Sequence, residues 1–327
     1  GRATIFLHEP LSMPVKTHII AFNANQYCNL LAPMFPNVEF TYDLDTGTFS
    51  DPTYECEILI SFGLFLNAEI FRRNKKLRWV QALGTGTDGI DNQPELAPGA
   101  LLTSMRGIHT PQMTEMAFLL MLALNRNLPK IIDNQRGHVW QRWPGLILEG
   151  KTVAILGLGV IAEALAQRCK AFGMKVVAVT STPRSVDGFD HVRTYDDMPG
   201  AVADADYVVV LTPRSQATKG LVNTKTFLAM RPTAFLINLA HGGVVEETAL
   251  ITAIQEDQIS GAALDGFDSE PLPPESPLWS LDGVIITPHV GGTSEDYVEQ
   301  AMQVIEHNMH CYLKGKTEDM INLFKRR

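Results

Sequence analysis

Four cysteines in 327 residues (Cys28, Cys56, Cys169 and Cys311) are too few and too scattered for a disulfide framework or a CxxC metal site. They read as reduced thiols of a cytoplasmic protein. No block of basic residues is present, and the formal net charge is −9, which argues against nucleic acid and anionic membrane as partners. Long hydrophobic runs are also missing. The most apolar stretch, "MAFLLMLAL" from Met116 to Leu124, is far shorter than the ~20 residues a membrane span needs, so it reads as a buried helix. The first residues, "GRATIFLHEP", lack an apolar core for a signal peptide, so export is not expected. Low-complexity segments and short-period repeats are absent as well.

What is present is an ordinary globular composition, 45% apolar and 19% charged, over a length that suits two domains. Strand-like and helix-like segments alternate almost throughout, the pattern of parallel sheets covered by helices. Strand candidates in the first hundred residues are "THIIAF", "EILISF", "RWVQAL" and "ALLTSM". A long helix is predicted from about Pro111 to Asn127, with Thr110 as its N-cap. Its apolar residues run almost all the way round, as expected of a helix buried on more than one side. A second series begins at "KTVAILGLG" and continues through "KVVAVTS", "ADYVVVLTP", "TAFLINLA", "GAALDGF" and "VIITPHVGG". These strands lack polar alternation, as in a sheet covered on both faces. A last helix, from about Ser294 to Leu313, is expected to return to the N-terminal block.

The stretch "VAILGLGVIAEALA" carries the clearest local chemistry. Gly157 permits a tight turn directly after a strand, and Gly159 lets backbone approach a pyrophosphate. Val160 and Ile161 open the following helix, whose N-terminus faces the phosphates, and Ala162 keeps that helix close to the strand. Glycines at such turns are often only turn residues, but here the strand, the helix and the next strand are all in place. At the end of that next strand, a carboxylate would select the ribose diol of NAD. This chain instead offers Thr180, Ser181 and, shortly after, Arg184. Hydroxyls with a guanidinium suit a 2′-phosphate better, which favours NADP over NAD; a solvated loop with an incidental arginine would read the same way.

Four ordered stretches, "LEGKTVAILGLGVIAEALAQRCKAFGMKV", "LINLAHGGVVEETAL", "AALDGFDSEPLP" and "TPHVGGTSE", resemble the D-isomer-specific 2-hydroxyacid dehydrogenases. The resemblance spans nearly the whole chain. It implies two α/β doubly wound, Rossmann-like/flavodoxin-like domains with parallel sheets. A substrate domain would comprise 1–105 plus 291–327, with a dinucleotide-binding domain, 106–290, inserted into it. It implies a small 2-oxoacid substrate, an NAD(P) cofactor and a homodimer joined through the long helix. His289 would be the acid/base and Glu270 the carboxylate that pairs with it. Cofactor contacts would include Thr212, Pro213, Leu239, Ala240, Asp265 and Gly291, and the amides of Thr85 and Gly86 would receive the substrate carboxylate. No metal is implied.

One position departs from the family. Its pattern reads Asn-x-x-Arg-Gly, with the arginine clamping the carboxylate and polarising the carbonyl; here Asn238 is followed by His241 and Gly242. Arginine presents five donors in a rigid fork, whereas neutral histidine presents one. Losing a preorganised, charge-stabilising donor typically costs about 10²–10³ in rate. Two readings therefore stand: a glyoxylate/hydroxypyruvate-type reductase with an atypical donor at His241, or a weak or silent NAD(P)-binding dimer. "ISFGLFL" lacks the basic residues that a phosphorylated substrate would need; Phe62, Leu64 and Phe65 would line an apolar pocket or simply pack in the core.

Overall fold

The computed structural model describes residues 13–44, 54–87 and 89–324, so the reading of the first ten residues lies outside the described part. Two compact units result: 1–108 with 294–327, and 109–293 inserted between them. Each break falls three residues later than the sequence places it.

In the first unit, β1 (Val15–Ile20), α1 (Ala24–Met34), β2 (Val38–Asp43), β3 (Ile58–Ser61), α2 (Ala68–Arg73), β4 (Trp79–Ala82) and β5 (Leu101–Thr103) follow in order. The strands pair in parallel as β2-β1-β3-β4-β5. Strand β2 is absent from the sequence reading. Its "VEFTYD" sits at the sheet edge, half-buried through its middle, and lacks the apolar signal of its neighbours. Phe65 is buried and packs edge-on against the half-buried Phe62 and the exposed Phe22, while Leu64 is exposed.

The second unit opens with α3 (Thr110–Arg126) and α4 (Leu128–Arg136). The N-cap is His109 rather than Thr110, without a side-chain cap bond; proline at the second helical position lets the helix start one residue earlier. Asn127, in the left-handed region, ends α3. Leu119 and Leu122 of α3 are exposed, so that helix is not covered all round by this chain.

Then follow β6 (Thr152–Leu156), α5 (Val160–Ala171), β7 (Lys175–Thr180), β8 (His191–Thr194), α6 (Met198–Val202), β9 (Tyr207–Val210), α7 (Thr224–Ala229), β10 (Phe235–Asn238), α8 (Glu247–Gln255), β11 (Gly261–Leu264) and β12 (Val284–Ile286). All pairings are parallel, in the order β12-β11-β10-β9-β6-β7-β8. The uninterrupted apolar strands are explained by helices on both faces: Ala154, Leu156, Val208 and Val210 pack on one side. Val153, Ile155, Tyr207 and Val209 pack with residues of α3 and α5 on the other. This is the doubly wound α/β class expected from the sequence.

The chain then returns to the first unit with α9 (Tyr297–Leu313), which packs Val298, Ala301 and Ile305 with Ile19, Ile58 and Trp79 of that sheet. Among the described residues, no helix is long and apolar enough to cross a membrane, and no cluster of His, Cys, Asp and Glu could hold a metal ion.

Candidate active site

In the second sheet the chain runs outward from β6 to β8, then returns to start β9 on the other side of β6. That reversal opens a crevice at the carboxyl ends of β6 and β9, the usual place for a ligand in such sheets. Gly157 lies there with φ +101°, its N–H donating to Val179 O at 2.8 Å. A Cβ on Gly157 would come within 3.1 Å of the Thr212 amide nitrogen, so glycine serves both the turn and the approach of the β9 end. Gly159 caps α5 in extended conformation with no side-chain cap bond, and a Cβ there would meet nothing within 4 Å. Val160 is half-exposed and Ile161 partly buried, while Ala162 packs in the core. The result is the N-terminus of a twelve-residue helix, without a side-chain cap and beside open space, a cradle suited to a dinucleotide pyrophosphate.

At the end of β7, Thr180 is buried and its hydroxyl accepts from the Thr182 amide at 3.3 Å; Ser181 is exposed. The Arg184 guanidinium pairs with Glu163 of α5, both half-exposed. At the end of β9, Thr212 is buried and Pro213 exposed.

Three further strand ends shape the catalytic candidates. After β10, Asn238 accepts from the Ala240 amide at 3.1 Å and donates to Gly266 O at 3.2 Å. Leu239 and Ala240 are buried and His241 is exposed. A Cβ on Gly242 would lie 2.0 Å from Phe267 O, and one on Gly266 2.0 Å from Ala240 O. The turns after β10 and β11 thus touch backbone to backbone, which only glycine at both positions permits.

After β11, Asp265 is buried and spends both carboxylate oxygens on the turn after β12. Oδ1 accepts from Thr287 Oγ1 at 2.5 Å and Val290 N at 3.0 Å; Oδ2 accepts from Gly291 N at 2.9 Å. Asp265 therefore braces the backbone that carries His289, itself held at φ +55°. Glu270 Oε2 lies 2.7 Å from His289 Nδ1, and its other oxygen accepts from Phe267 N at 2.9 Å. With Nδ1–H donating to that carboxylate, Nε2 is left for proton exchange. The His241 and His289 rings lie 5.3 Å apart, centroid to centroid.

The fold thus brings His241, Glu270 and His289 into one cluster from the ends of three strands. Thr85 and Gly86 are exposed after β4 in the other unit. Sequence reasoning met Asn238 as part of the Asn-x-x-Arg-Gly pattern and missed the positioning residues Gly266, Asp268 and Thr287. Asp268 accepts from Gly243 N at 2.5 Å, and its own amide donates to Glu247, whose carboxyl burial holds above the usual range. Their one signal was position, at the carboxyl ends of apolar strands. Cysteine chemistry has no support from Cys56 and Cys169, whose thiols burial pushes up to about 12.

The family model of the D-isomer specific 2-hydroxyacid dehydrogenase NAD binding domain matches residues 118–291. A glyoxylate reductase from Pyrococcus furiosus is 32% identical over 260 residues, 77% of this chain and 77% of the relative. A D-3-phosphoglycerate dehydrogenase from Methanocaldococcus jannaschii is 29% identical over 81% of this chain, which spans about half (51%) of that relative's length. Among solved structures, a D-isomer specific 2-hydroxyacid dehydrogenase family protein from Aeromonas salmonicida superposes with a TM-score of 0.87 at 29% identity, covering 97% of this chain and 100% of that one. An NADPH-dependent glyoxylate/hydroxypyruvate reductase from Sinorhizobium meliloti, in complex with NADP and malonate, gives 0.80 at 26% identity, covering 96% and 98%.

Proposed function

Because this chain belongs to the D-isomer specific 2-hydroxyacid dehydrogenase family, we propose that it is an NAD(P)-dependent reductase of small 2-oxoacids, of the glyoxylate/hydroxypyruvate type. The observation that carries this reading is the 2.7 Å contact between His289 and Glu270. Hydride is what a reduced nicotinamide brings when bound. As the C2 carbonyl accepts it, the carbonyl electron pair moves onto oxygen, and His289 Nε2 gives that oxygen a proton. Glu270 holds the ring in the required tautomer and stabilises its charged form before transfer. His241 donates a hydrogen bond on the carbonyl side. Gly157, Gly159 and the N-terminus of α5 would hold the pyrophosphate, with Thr212 and Pro213 bordering it.

The test is a panel of 2-oxoacids with NADPH and with NADH, followed by nicotinamide absorbance. Oxidation with at least one small 2-oxoacid is expected, and none with any would overturn the reading. The histidine at position 241 favours a second reading, a silent NAD(P)-binding protein, which predicts cofactor binding without turnover.

NADP is favoured over NAD on the strength of Thr180 and Arg184. An exposed ion pair such as Arg184–Glu163 is worth little, so a 2′-phosphate can compete for that guanidinium. Tighter binding of NADH in calorimetry would remove the preference. A homodimer is supported by apolar side chains exposed in the second unit, Leu119, Leu122, Ile131, Trp140 and Ile147 among them. Sedimentation as a single 36.1 kDa species would contradict it. A cytoplasmic location is supported by the four unpaired thiols.

A further inference from the structure

The family's arginine does two jobs from one position: it charges the carboxylate site and polarises the carbonyl. His241 can do only the second while neutral. A cation for the first job, beside the amides of Thr85 and Gly86, would come from another residue of the site.

Strand β9 lies between β6 and β10, so the loop after it runs between the Gly157 turn and the His241 turn. Thr212 faces the first, its amide against Gly157. Two residues on, Arg214 leans the other way. A Cβ built on Gly243 would lie 3.7 Å from Arg214 Nε and 3.9 Å from its Cζ. Gly243 has φ +84° and no side chain, so this face of the turn is open to the guanidinium. It is two residues from His241, at most about 7 Å along the backbone. The loop that carries Arg214 is also fixed. Thr218 Oγ1 donates to Pro213 O at 2.7 Å and accepts from Ser215 N at 2.8 Å, bracketing position 214.

Arg214 is exposed, and no hydrogen bond or ion pair joins it to another described residue. Arg184, past the end of β7 on the far side of β6, is occupied by Glu163. The Gly243 turn is meanwhile held by Asp268 from its amide side, which leaves the guanidinium fork unused.

From this placement we propose that Arg214 is the substrate's carboxylate anchor. Two side chains from adjacent strand ends then divide what one arginine does elsewhere in the family: His241 serves the carbonyl oxygen and Arg214 the carboxylate. A carboxylate is preferred over a cofactor phosphate because the guanidinium lies against Gly243, two residues past His241. The proposal rests on the 2-oxoacid reading above.

Oxamate, an unreactive 2-oxoacid mimic, separates the two. The whole chain, saturated with NADPH or NADH, is titrated with oxamate while nicotinamide fluorescence is followed. Arg214→Gln should weaken oxamate binding about tenfold to a hundredfold, as expected for losing a charge-assisted hydrogen bond. Arg214→Lys, which keeps the charge but not the fork, should lose less. The cofactor Kd and the melting temperature should not move. Combining Arg214→Gln with His241→Arg should restore oxamate affinity by returning the guanidinium to the family's position. Equal oxamate affinity for the parent and Arg214→Gln overturns the proposal, as does a matching loss of cofactor affinity. Oxamate binding that depends on Arg214, with no turnover of any 2-oxoacid, would overturn the reductase reading alone. Turnover in a parent whose oxamate binding ignores Arg214 would overturn this proposal alone.

Discussion

The two units use the same architecture and spend their buried polar groups in opposite places. In the first, polar side chains sit inside the sheet. Trp79 Nε1 donates to Thr103 Oγ1, which donates to Gln81 Oε1, and Asn308 of α9 donates to the same oxygen at 3.0 Å. Asn308 also exchanges hydrogen bonds with both backbone groups of Ile321. That network ties a helix from the far end of the chain to one register on the sheet. In the second unit the central strands are largely apolar, and the buried polar groups Asn238 and Asp265 stand at or just past strand ends, where they shape turns. Buried polar groups must be paired wherever they lie. Placed mid-sheet they specify assembly, and placed at strand ends they aim chemistry.

The sharpest way to break that contrast is Glu270→Gln, which keeps the shape and removes the charge. It should lower kcat with a small 2-oxoacid by about 10²–10⁴-fold, with no change in thermal melting. An unchanged rate would take the Glu270–His289 pair out of the mechanism.

Next in size is a pair of glycine substitutions. Gly242→Ala puts a methyl group 2.0 Å from Phe267 O and should destabilise the second unit by at least the ~1–3 kcal/mol of ordinary overpacking, because the obstacle is backbone. Gly159→Ala meets nothing and should leave folding stability alone while weakening cofactor binding. Urea titration and calorimetry on the two variants would expose any reversal.

Asn308→Leu tests the first unit. It strands the N–H and C=O of Ile321, at a cost of about 1–3 kcal/mol, and urea unfolding should report the loss without a change in cofactor affinity. Stability equal to the parent would mean that α9 is held by apolar packing alone.

The smallest effect is a pH dependence. His18 lies buried between Thr41, at 2.7 Å, and Asp43, at 3.1 Å; burial lowers its pKa below 6.5, with the Asp43 charge partly opposing this. Below pH 6.5 the unfolded chain binds a proton that the folded chain resists. The contribution is therefore complete above that value and lost as pH falls through the lowered folded pKa. His18→Gln should flatten the decline in stability on the acidic side; a slope identical to the parent's would remove His18 as its source.

How legible was all this? The central strands of both sheets could be read because burial on two faces demands unbroken Val, Ile, Leu and Ala. Edge strands β2 and β8 could not, since half of each faces solvent and its residues look like loop. The first turn of α3 was read one residue off, because capping depends on geometry as well as residue type. In the site, His289 and Glu270 were legible through the motifs that contain them. Asp265 was expected as a cofactor contact, and both its oxygens brace the His289 turn.

By itself the sequence determined the α/β class, the glycine turn that opens α5 and the substitution at position 241, because each follows from residue type at a local spacing. Only the tertiary structure decided which strand ends meet. Gly242 against Phe267, Asp265 beneath His289 and Arg214 beside Gly243 are contacts between segments distant in the chain, set by strand order and register. Sheet pairing is a long-range choice, and no local pattern of side chains encodes who stands next to whom.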